Sequence, residues 1–73
     1  MKTEYKHVHF EVNEWSQGMW SCMQNGRDDR LCLIDFYKPW KTYVVVDFED
    51  ALFSAEYLRD IADFLEQLNE AEG

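Results

Sequence analysis

The chain has 73 residues, 47% of them hydrophobic and 16% aromatic, with a formal net charge of −8 at neutral pH. That length makes a single domain, residues 1–73, able to bury only about 60% of the surface its unfolded form exposes. The composition excludes disorder, no stretch is apolar enough to span a bilayer, and the acidity argues against direct nucleic-acid binding.

Residues 4–12 alternate as a strand does, with Val8, Phe10 and Val12 on one side and Tyr5, His7 and His9 on the other. No secretory h-region precedes them, so a cytoplasmic, reducing setting is expected, with both cysteines as thiols. Asn13 to Gly18 is rich in turn formers around Trp15. Met19 to Gln24 reads as a second strand. Asn25-Gly26-Arg27-Asp28-Asp29-Arg30 reads as a polar loop with an Asn-Gly turn signal. Leu31 to Tyr37 is a third strand, Lys38-Pro39-Trp40-Lys41 suits a type I turn, and the β-branched and aromatic run Thr42 to Phe48 is a fourth. After a linker at Glu49 to Phe53, Ser54 is placed to cap a helix that runs to about Asn69.

That helix is amphipathic. Ala55, Tyr57, Leu58, Ile61, Ala62, Phe64, Leu65 and Leu68 share one side, with Asn69 the one polar residue among them. Four strands joined by short connections and followed by one helix predict an α+β fold, an antiparallel ββββα meander with the helix on one face. Symmetric turns pair Cys22 with Cys32, Trp20 and Val45 with Ile34, and Phe36 with Tyr43. One face then carries Met19, Met23, Leu31, Leu33, Val44, Val46 and Phe48. The other carries Trp20, Cys22, Cys32, Ile34, Phe36, Tyr43 and Val45. Both faces read as apolar, and one helix covers only one of them. Trp20, Ile34, Phe36, Tyr43 and Val45, with Trp40 at the turn tip, are therefore expected to form an exposed interface for a protein partner or for a homodimer.

Charge is distributed unevenly. Residues 1–46 are neutral overall, and the entire net charge of −8 lies in residues 47–73, where Arg59 is the lone base. Glu56, Asp60, Asp63, Glu66 and Glu70 line the polar side of the helix. Several of these acids sit at i,i+4 from one another or near the C-terminal end, where the helix dipole disfavours them. Such a row is a solvated face first. Its alternative is an anionic surface for a basic partner, a decoy for a nucleic-acid-binding protein.

His7, His9, Cys22 and Cys32 are zinc-ligand types without the close pairing of a finger or ribbon, and small buried hydrophobes and solvated histidines account for them. No metal or cofactor is expected. Ser16, Ser21 and Ser54 lack a nucleophile-elbow context, and no phosphate-cradling glycine loop is present, so a non-enzymatic protein is expected.

Residues 35–65, from Asp-Phe-Tyr-Lys-Pro-Trp-Lys-Thr-Tyr-Val through Tyr-Leu-Arg-Asp-Ile-Ala-Asp-Phe-Leu, resemble short proteins of bacteria and their phages. In these a Tyr/Trp-rich hairpin precedes a Leu-Arg-Asp-Ile-Ala-Asp-Phe-type helix. The resemblance implies no activity. It implies an accessory protein of a phage or mobile element, a class whose small acidic members often inhibit host systems.

Overall fold

The computed structural model describes residues 1–27, 29–49 and 51–72. Asp28 and Asp50, read above as part of the second loop and the linker, lie outside the described residues. Four strands, β1 (Val8–Val12), β2 (Trp20–Gln24), β3 (Arg30–Tyr37) and β4 (Thr42–Phe48), precede one helix, α1 (Ala55–Glu72). The strands form one antiparallel sheet in the order β1-β2-β3-β4, the expected meander. No helix is long and apolar enough to cross a membrane.

Local chemistry sets the connections. Gly26 follows Asn25 with φ 75°, a conformation that costs glycine nothing. The Lys38 carbonyl accepts the Lys41 N–H at 3.1 Å across Pro39 and Trp40, as a type I turn requires. Lys41 itself takes φ 53°, a left-handed position that ordinary residues adopt at a cost of about 1–2 kcal/mol. The Ser54 side-chain oxygen accepts the Tyr57 N–H at 3.1 Å and its carbonyl accepts the Leu58 N–H at 3.0 Å, so Ser54 caps α1 as expected.

The paired register is the expected one at Cys22↔Cys32, Trp20↔Ile34, Ile34↔Val45 and Phe36↔Tyr43. Two β-bulges interrupt it. Cys22 opposes Cys32 while Met23 opposes Arg30, leaving Leu31 as an extra residue. Ile34 opposes Val45 while Leu33 opposes Asp47, leaving Val46 extra. Each bulge displaces a side chain that strict alternation would expose. Leu31 joins the buried core, and Phe48 turns to the helix side, where its ring meets Phe53 edge-on at 5.0 Å.

Helix α1 lies on the face formed by Val8, Phe10, Trp20, Cys22, Cys32, Ile34, Tyr43 and Val45. Phe64 is the keystone: it is fully buried, stacked on Phe10 at 4.1 Å and met edge-on by Trp20 at 5.1 Å. Burying each such side chain contributes about 1.5–3 kcal/mol. This corrects the expected interface. Ile34 is 0% exposed, and Trp20, Tyr43 and Val45 pack against the core, so these four residues are the floor beneath the helix. The face with the bulkier, more continuous apolar side chains is the one that gains most from a lid. Phe36, at the margin of that face against Tyr43, and Trp40, at the hairpin tip against Tyr37, remain exposed.

The N-terminal segment also departs from expectation. The strand begins at Val8 rather than residue 4, because residues 3–5 fold back along β1. The Tyr5 N–H donates to the Val8 carbonyl and the Phe10 N–H to the Thr3 carbonyl, both at 2.8 Å. The free edge of β1 is thereby covered. At the other edge, Asn69 of α1 accepts the Tyr43 N–H through Oδ1 at 2.8 Å, so both sheet edges are partly capped.

Candidate functional site

The face away from α1 has no cover among the described residues. Pairing places His9 beside Met23, Met23 beside Arg30, Glu11 beside Ser21, Ser21 beside Leu33, Leu33 beside Asp47 and Asp35 beside Val44. Met23, Leu33 and Val44 are half-buried, and Val46, at the bulge, is 47% exposed. The result is a mixed surface. A short apolar strip is interleaved with the carboxylates of Glu11, Asp35 and Asp47, because the bulges remove Leu31 and Phe48 from it.

At the β1–β2 end, the turn projects Trp15 almost fully into solvent, at 92% exposure. The projection is built rather than slack. Asn13 is buried. Its Oδ1 accepts the Trp15 N–H at 2.8 Å, its backbone N–H donates to the Met19 carbonyl at 2.8 Å, and its side-chain amide donates to the Ser21 hydroxyl at 3.3 Å. Asparagine is suited to this because its short side chain bonds its own backbone two residues on. A pocket of about 250 Å³ lies beside this turn on the open face, with Glu11, Glu14 and Trp15 around it and Ser21 and Met23 within it. Arg30 also borders it, but its guanidinium is engaged by Glu49 at 2.6 Å.

A wider groove of about 940 Å³ runs between the β2–β3 loop and the entry to α1, past Leu31, Leu52 and Tyr57. Its charges cancel internally, Arg27 with Asp29 at 3.0 Å and Arg30 with Glu49, which leaves it no directional chemistry.

The structure separates the zinc-ligand types instead of gathering them. His7 stacks on Tyr57 of α1 at 5.6 Å and approaches Glu56 at 3.3 Å. His9 faces the other way, its Nδ1 2.7 Å from Asn25 Oδ1 and its Nε2 3.1 Å from Glu11 Oε1. These partners raise the His9 pKa, the bond to Asn25 first and Glu11 after it, against the opposing effect of burial. Cys22 and Cys32 oppose one another in the core as free thiols. The shared bond to Cys32 and then burial push the Cys22 thiol up, so it stays protonated and unreactive. Among the described residues, no three His, Cys, Asp or Glu side chains gather as a metal site.

The acidic row is partly spent inside the molecule. Asp63 accepts the Tyr5 hydroxyl at 2.6 Å, Glu56 faces His7, and Asp60 is half-buried. Burial and then the Asp63 carboxylate raise the Tyr5 pKa. Only Glu66 and Glu70 of the five project as exposed acids without a printed role in the fold.

Sequence reasoning passed over Trp15, Glu11, Asp35 and Asp47 as site residues. Trp15 sat among turn formers, and an Asn two residues before a Trp in such a turn is the signal that would have marked it as projected. No family model, characterised protein or solved structure matches the chain.

Proposed function

We propose that this is a small, non-enzymatic protein-binding domain that docks another chain on its open sheet face. The observation that carries the reading is the uncovered face itself: a strip of Met23, Leu33, Val44 and Val46 beside a tryptophan held clear of the fold. Exposed apolar surface next to a rigid aromatic is the composition of protein interfaces rather than of a solvated sheet. In this reading the domain acts by occupancy, as an inhibitor or adaptor does.

The test is capture of partners on immobilised protein, compared across variants that keep the fold. Leu33→Arg and Val44→Arg alter the open face; Glu66→Gln with Glu70→Gln alters the exposed acids of α1. Capture abolished by the first pair and retained by the second supports docking on the sheet. Capture that survives both arginine substitutions would rule this surface out, and loss with the glutamine pair alone would favour the acidic helix as the binding face.

A further inference from the structure

We infer that the open face takes a cationic, amphipathic segment of another protein, one of whose lysine or arginine side chains enters the pocket beside Trp15. This rests on the docking reading above and gives the partner a chemistry.

The charge pattern points to a cation. The register sets Glu11, Asp35 and Asp47 among Met23, Leu33 and Val44, and Glu14 adds a fourth carboxylate at the turn. Arg30, the guanidinium within reach, is already held by Glu49 at 2.6 Å. An incoming chain with alternating apolar and basic side chains meets both components at once. A second copy of this chain does not. Face-to-face packing would bring Glu11, Asp35 and Asp47 against their own counterparts between two molecules of net charge −8, and like-charge juxtaposition costs several kcal/mol.

The pocket fits a side chain. Its volume of about 250 Å³ falls below the ~300–1,000 Å³ of small-molecule sites. Its walls offer the face of an indole and two carboxylates, the combination that attracts an ammonium or guanidinium with a carbon stem. The Asn13 bonds fix the turn in advance, which lowers the ordering cost of binding.

The experiment maps a short peptide alternating lysine with leucine, and its glutamate–leucine counterpart, onto the isotope-labelled full chain by NMR. The lysine peptide should shift the Trp15 indole and the Met23, Leu33 and Val44 methyls, and bind less tightly as salt rises. Trp15→Ala, at a solvent-exposed position, should weaken it by roughly 2–5-fold, the worth of one exposed cation–π contact. Glu11→Gln should add a further loss. Equal binding of the glutamate peptide on the same residues would overturn the cationic partner while leaving the docking face standing. Shifts confined to Glu66 and Glu70 of α1, or none on the sheet with either peptide, would overturn both.

Discussion

Asn69 tests the account of the sheet edge most directly. By pattern it stands where an apolar residue belongs, and Asn69→Leu would complete the buried stripe of α1. In the structure its Oδ1 accepts the Tyr43 N–H at 2.8 Å on the free edge of β4. Removing that bond costs about 0.5–1.5 kcal/mol, at the low end because the site is only part-buried and water can replace the acceptor. Against this, a half-buried leucine recovers about 1 kcal/mol of apolar burial, and leucine exceeds asparagine in helix propensity by a few tenths of a kcal/mol. The monomer should therefore change stability by less than about 1 kcal/mol in urea melts analysed by linear extrapolation. The large effect should be on association. With its cap gone, a seven-residue strand rich in valine presents an unguarded edge. Sedimentation velocity over a concentration series should show the variant self-associating where the parent does not. A variant that loses more than about 2 kcal/mol and stays monomeric would refute the reasoning, because Asn69 would then be a structural hydrogen bond rather than an edge guard.

Other outcomes follow from single contacts. Phe64→Ala empties the centre of the core and should cost about 3–5 kcal/mol, a large share of the ~4–11 kcal/mol expected of a domain this size, so circular dichroism should find it largely unfolded. Tyr5→Phe removes the hydroxyl that Asp63 accepts and that Gln67 donates to, and should cost about 1 kcal/mol in the same melts. Because the Tyr5 pKa is raised in the folded state, its contribution is fully present below the ordinary value of 10.0 and is lost as pH climbs beyond it, a slope the phenylalanine variant should lack. The His9 pKa is likewise raised, so its contribution is complete below 6.5 and declines as pH rises through the folded value. His9→Gln should flatten that part of the stability profile, and an unchanged slope would remove His9 as its source.

Much of this architecture is legible in the residues. Tight turns at Asn25-Gly26 and Lys38-Pro39-Trp40-Lys41 fix which strands neighbour and set the registers around Cys22, Cys32, Ile34 and Val45. The period of α1 identifies Ile61, Phe64 and Leu68 as its buried stripe. Asn69, the anomaly in that stripe, is visible as an anomaly, but its purpose is not, since its partner is a backbone N–H 26 residues away. The N-terminal fold-back escapes notice because residues 4–12 alternate perfectly; Lys6 and His7 bend for the sake of Tyr5, whose hydroxyl reaches Asp63 on the helix. The choice of covered face escapes it too. Both faces score as apolar under strict alternation, and only the larger side chains of the Trp20–Ile34–Val45 face, set against Phe64, decide the matter.

The bulge at Val46 shows why alternation alone misassigns the open face. Regular pairing from Val44 onward would put Val46 and Phe48 on one side and Asp47 on the other, over the core. A carboxylate there would lie unpaired under the helix, at a cost far above that of one irregular backbone step. The extra residue avoids this. It returns Asp47 to the open face opposite Leu33 and brings Phe48 to the helix side opposite Cys32. The three consecutive valines make the device separable from the rest of the strand. Deleting one of them leaves Tyr-Val-Val-Asp-Phe, whose plain alternation already places Asp47 outward and Phe48 inward. Such a deletion should fold with the same core, keep the Phe48–Phe53 contact and lose only local twist. NMR that found Asp47 protected and Phe48 in solvent in the shortened chain would show that helix contacts, not the residue count of β4, set the orientation.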